Sequence, residues 1–97
     1  MKFIQIIEYT TTKPDEVQAA LDEFLAATGG NRPNTRASVT VDRDRPNVYL
    51  NIVEFPSYEV AMKNSEAPET TALAEKMMKL TDGPPSFRNL DVTFEEG

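Results

Sequence analysis

The chain has 97 residues and a net charge of −6, with 39% hydrophobic and 27% charged residues. That length makes one domain, spanning 1–97, and that charge repels phosphate backbones, so nucleic acid is not an expected partner. There is no histidine and no cysteine, which excludes Ser-His-Asp and Cys-His triads within the chain, thiolate metal sites and the two usual axial ligands of a haem.

No apolar run approaches the roughly 20 residues that span a bilayer, so no membrane partner is expected. The opening Met1–Glu8 stretch is too short and too soon interrupted by charge for a signal peptide. With no cysteine there is no disulfide to suggest export. The expected location is the cytoplasm.

Lys2 to Tyr9 is rich in β-branched and aromatic residues. Ile4 and Ile6 share one face; Phe3, Gln5, Ile7 and Tyr9 share the other. Both faces are mostly apolar, as in a central strand covered on each side. Thr10-Thr11-Thr12 breaks the strand. Thr12 is placed to cap a helix, with Pro14 in its first turn and Asp15-Glu16 complementing its dipole. Val17, Leu21, Phe24, Leu25 and Thr28 form one helical stripe that reads as core. Gly29-Gly30 stops it, and Asn31 to Asn34 is a loop.

From Thr35 to Val41, Ala37, Val39 and Val41 alternate with Arg36, Ser38 and Thr40, a half-exposed strand. The polar, proline-containing stretch 42–47 connects it to a second strand, Val48 to Phe55, in a hairpin. Arg32, Arg36, Arg43 and Arg45 crowd this region, but Asp42 and Asp44 nearly neutralise the loop, which reads as solvated. Ser57 is a plausible cap for the next helix, where Val60, Ala61 and Asn64 share a face. Pro68 breaks that helix. It resumes with Thr70, Leu73, Ala74, Met77 and Leu80 in register and ends at Asp82-Gly83-Pro84-Pro85. Met62, Met77 and Met78 read as core filling. Ser86 to Phe94 is a last strand. Glu66, Glu69 and Glu75 read as an outer helix face, so no metal site is expected.

The order strand, helix, strand, strand, helix, strand predicts an α+β, ferredoxin-like βαββαβ fold. A four-stranded antiparallel sheet would carry two helices on one face. The other face, whether it holds Ile7, Tyr49, Val53 and Phe55 or their neighbours of opposite parity, would sit in water unless a partner covered it.

The element order, the size and the stretch Val48-Tyr49-Leu50-Asn51-Ile52-Val53-Glu54-Phe55-Pro56-Ser57-Tyr58-Glu59-Val60-Ala61 resemble the dimeric α+β barrel superfamily, in particular the antibiotic-biosynthesis-monooxygenase-like domains. The resemblance implies a homodimer whose two sheets close a barrel around hydrophobic small-molecule cavities. It also implies cofactor-independent oxygenation of an aromatic or polyketide-like substrate, so that no cofactor is expected. In such relatives polar side chains position a phenolic polycycle that reacts directly with oxygen. This chain departs from them in having neither Trp nor His. The first-strand position where haem-degrading relatives carry Asn holds Ile7. The base would then be the substrate's own acidity, a carboxylate such as Glu54, or a tyrosine. The missing His and Trp keep a second reading open: a non-catalytic dimeric module that binds a hydrophobic metabolite or a protein partner.

The candidate substrate-binding residues are Tyr9, Tyr49, Asn51, Asn64 and Arg88. Asn is disfavoured in mid-strand, so Asn51 bonds a ligand, a neighbouring backbone group or a polar dimer seam. Asn64 contacts a ligand or caps the segment before Pro68. Tyr9 serves substrate contact or interface packing. Arg88 holds an anionic oxygen or pairs with Glu54 or Glu8 across the sheet. No catalytic residue is singled out.

Overall fold

The computed structural model describes residues 1–29 and 33–96. Strand β1 (Phe3–Thr10) is followed by helix α1 (Pro14–Thr28) and the hairpin β2 (Arg36–Val41) and β3 (Val48–Phe55). Helices α2 (Tyr58–Ser65) and α3 (Pro68–Leu80) then lead into β4 (Ser86–Asp91). The four strands form one antiparallel sheet in the order β2-β3-β1-β4. The ferredoxin-like α+β architecture is as expected, with β1 in the centre.

Register divides the residues between two faces. Phe3, Ile7 and Tyr9 oppose Phe55, Asn51 and Tyr49 on the helix-covered face. Ile4, Ile6 and Glu8 oppose Glu54, Ile52 and Leu50 on the open face. Alternation thus places the neighbours of opposite parity, not Tyr49 or Phe55, on the uncovered side. The core is small. Phe3, Phe55 and Ala61 cluster with Val53, Val60 and Met62, and Tyr58 meets the Phe3 ring edge-on at 5.3 Å. Tyr9, Val17 and Ala20 are buried further along. Helix α3 buries none of its residues completely, and Met78, expected in the core, is 73% exposed.

The second helix breaks where proline demands it. Ser57 caps α2 by accepting the Val60 N–H at 3.2 Å, and Pro68, with no N–H to lose, starts α3. Three expectations are corrected. Thr12 does not cap α1: Lys13 holds the cap position without a side-chain bond. Thr11 has been drawn inside instead, where its hydroxyl accepts the Lys13 N–H at 3.0 Å and donates to Leu80 O at 2.6 Å. The last strand stops at Asp91, not Phe94; Val92 N–H still reaches Lys2 O at 3.0 Å, but Phe94 is 79% exposed with nothing to cover it. Strand β2 is almost wholly exposed rather than half-exposed, because it is an edge strand that the helices scarcely cover. At the end of α1, Gly29 adopts the left-handed conformation, with φ 58°, that terminates a helix. Gly30, Asn31 and Arg32, read as stop and loop, lie outside the described residues.

Thr11 ties the end of β1 to the start of α1 and the end of α3, and its N–H reaches Asn47 O in the β2–β3 connection at 3.0 Å. Thr11→Val keeps the shape but strands the Leu80 carbonyl and the Lys13 N–H. We expect urea denaturation to show a loss of about 1–3 kcal/mol.

Candidate functional site

Two clefts of about 260 Å³ each flank α1. One runs between α1 and α3 and is walled mainly by Ala20, Phe24, Ala27, Ala72 and Leu73, with the Glu23–Lys76 ion pair among its lining residues. Few polar atoms face it, so it has packing character and no chemistry. The other lies between α1 and the sheet. Tyr9 and Thr11 of β1, Tyr49 of β3 and Val39 of β2 form one side; Val17 and Leu21 of α1 form the other. Pro14, Asp15 and Gln18, in the first turns of α1, complete its rim.

The sheet register builds the polar part of this second site. Tyr9 and Tyr49 are direct cross-strand partners, and their rings stack with centroids 5.8 Å apart and planes 13° apart. Asn51 lies diagonally across from Tyr9, and the Tyr9 hydroxyl donates to Asn51 Oδ1 at 3.1 Å. Asn51 does not line the cleft; it is joined to it through the phenol that does. Tyr9 is only 4% exposed, and burial pushes its phenol above the ordinary range, partly offset by the Asn51 amide. At neutral pH Tyr9 is therefore an uncharged hydrogen-bonding group and not a base.

The structure thus brings Tyr9, Tyr49 and Asn51 together. It does not bring the other two candidates to them. Arg88 projects from the open face, where Nη2 lies 3.3 Å from Glu8 Oε1. This is the cross-sheet ion pair weighed above. Asn64 is half-buried on α2 and its carbonyl accepts the Ala67 N–H at 3.2 Å, at the helix break; it lines neither cleft. Glu54 also belongs to the open face, beside Thr35 and Lys2, and is remote from the phenol. Sequence reasoning missed Thr11, Asp15 and Gln18 as walls. Their only signal was position: Asp15 and Gln18 flank the apolar stripe of α1 one helical turn apart.

Among the described residues no group of three or more acidic side chains could hold a metal ion, and no helix is long and apolar enough to cross a membrane.

The fold is that of the antibiotic biosynthesis monooxygenase domains. The chain is similar to a candidate antibiotic biosynthesis monooxygenase from Caulobacter crescentus, with TM-score 0.84 and 16% identity over 96% of this chain and 91% of that one. It is similar to SnoaB, a cofactor-independent oxygenase from Streptomyces nogalater, with TM-score 0.80 and 17% identity over 97% and 95% of the two chains. A conserved protein from Methanosarcina mazei matches at TM-score 0.82 and 8% identity, over 93% and 91%. No family profile matches the sequence, and no curated protein matches it.

Proposed function

We propose that this chain is a cytoplasmic, cofactor-independent oxygenase acting on a small aromatic substrate that carries a phenolic hydroxyl. The Tyr9–Asn51 pair at an aromatic cleft carries the reading. With its own proton committed to Asn51 Oδ1, Tyr9 offers its oxygen lone pairs to a donor, and a substrate O–H is such a donor. The amide has two ends. Turned over, Asn51 would donate to Tyr9, releasing the Tyr9 proton towards the phenolate formed when the substrate ionises. One group would thus bind the phenol and then stabilise its anion. The deprotonated substrate reacts with dioxygen at carbon: a CH₂ group becomes C=O, with one oxygen atom retained and the other released as water. A cleft of about 260 Å³ suits two or three fused rings better than a larger polycycle, since pockets that hold drug-sized ligands run to about 300–1,000 Å³.

The similarity to SnoaB supports oxygenation as the class of reaction. Oxygen uptake with a panel of anthrones and hydroquinones tests it. Substrate-dependent uptake without added metal or flavin is the expected result. A flat trace with every member would leave the second reading, a non-catalytic binding module. One observation favours that reading: burial pushes Tyr9, the phenol placed to meet the substrate hydroxyl, away from acting as a base at neutral pH.

We also propose a homodimer through the open face. Ile4, Ile6, Leu50, Ile52 and Leu90 form an apolar field there, and the isolated chain buries few apolar residues for its length. Most charges around that field are paired within the chain: Glu8 with Arg45 and Arg88, and Lys2 with Glu54 and Glu95, while Arg36 lies across from Glu54. A chain with net charge −6 can therefore meet a copy of itself there without strong repulsion.

A further inference from the structure

The cleft also carries information about ligand charge. Among the described residues, apart from its two phenols, Asp15 is the single ionisable group in its walls, and no lysine or arginine lines it. The cleft abuts the first turn of α1, where main-chain N–H groups and the helix dipole would ordinarily attract an anion. Here Pro14 brings no N–H, and Asp15 and Glu16 set carboxylates in that turn. Two of the guanidiniums are engaged elsewhere: Arg45 by Asp42 and Glu8, and Arg88 by Glu8 on the opposite face of the sheet. The stacked faces of Tyr9 and Tyr49 present negative π density, which also favours a cation over an anion.

We infer that Asp15 is a specificity determinant of this cleft, admitting neutral or amine-bearing aromatic ligands and rejecting those that enter already carrying a carboxylate. The phenolate of the proposed reaction forms only after a neutral phenol has bound at Tyr9. The inference rests on the cleft being the ligand site proposed above. Its test uses the whole chain and three probes with one ring system: 2-naphthol, 2-naphthylmethylamine (cationic at pH 7) and 2-naphthoate (anionic). Binding is measured by equilibrium dialysis in low salt and in 0.5 M NaCl. In low salt naphthoate is expected to bind about tenfold more weakly than naphthol, and the amine at least as tightly as naphthol. Asp15→Asn shrinks the naphthol–naphthoate gap to about threefold or less, and Asp15→Lys places naphthoate ahead of the amine. High salt compresses the gap in the parent chain. Glu16→Gln, which changes net charge equally but lies outside the cleft walls, leaves the gap within about twofold.

Equal binding of naphthol and naphthoate by the parent chain overturns the inference and leaves the ligand site standing. So does an unchanged order in folded Asp15→Lys, with folding checked by circular dichroism. Failure of all three probes to bind overturns both the site and the inference.

Discussion

Leu90→Lys is expected to turn the proposed dimer into a monomer at micromolar concentration while leaving the chain folded. Leu90 lies on β4, paired with Ile4 across the open face, and is already 43% exposed in the single chain. A lysine there costs the isolated subunit little, because its ammonium reaches water. In a face-to-face dimer the same ammonium would be buried in an apolar seam without a partner. That penalty is several kcal/mol, enough to weaken association by about a hundredfold or more. Ile6→Lys, at the centre of the field and opposite Ile52, should act more strongly but also threatens the fold. Light scattering and sedimentation separate the outcomes. The parent chain should show a melting temperature that rises with protein concentration, and Leu90→Lys should abolish that dependence. A parent chain that is monomeric at 50 µM would refute the interface.

Much of this architecture is legible in the sequence because two periodicities and one prohibition dominate it. Alternation in β1 and β3, the helical period of α1 and the proline at 68 each have a single physical reading, and the elements form where they place them. The α1 stripe is not all core, however: Leu25, at its far end, is 44% exposed. What the pattern does not reveal is which face of a sheet is covered when both are apolar. Ile4 and Ile6 are as hydrophobic as Phe3 and Ile7; only the seating of the helices separates them. The cap of α1 was misread for a related reason. Thr11 and Thr12 are chemically alike, and their roles are divided by burial, which depends on where Leu80 comes to rest.

The site is partly legible for the same cause. Tyr9, Tyr49 and Asn51 share parity once β1 and β3 are paired in register, so mid-strand polarity pointed to residues that the fold brings together. Arg88 has the parity of Leu90, and antiparallel pairing with Ile6 sends it to the far side of the sheet from the phenol. Asp15 carried two roles that sequence cannot separate. A carboxylate in the first turn of a helix serves the dipole wherever it points, and only the position of α1 over the sheet makes it a wall of the cleft.

The Tyr9–Asn51 pair yields the sharpest kinetic expectation, because its three variants should fail in different ways. Tyr9→Phe removes the hydroxyl while keeping the ring stacked on Tyr49. It should lower kcat/KM by about a hundredfold, the usual cost of one donor to a developing oxyanion. It should also erase the preference for a phenol over its methyl ether. Asn51→Leu leaves the Tyr9 hydroxyl in place but removes the group that orients its proton, so both kcat and KM suffer, by about tenfold each. Asn51→Asp is the telling case. A carboxylate accepts from Tyr9 as the amide oxygen does, holding the lone pairs towards the substrate, but it has no N–H with which to reverse the polarity. KM should stay within about threefold of the parent value while kcat falls about a hundredfold. A merely structural Asn51 would instead lose stability in Leu and Asp variants alike, without separating the two kinetic parameters. Titration supplies a readout independent of turnover. With its phenol held above the ordinary range by burial, Tyr9 stays protonated in the folded state after an unfolded chain would have lost that proton. This stabilisation is intact below the ordinary tyrosine pKa of about 10 and is lost as the pH rises through the higher folded value. Absorbance at alkaline pH should show a late-ionising tyrosine, and Tyr9→Phe should remove that step.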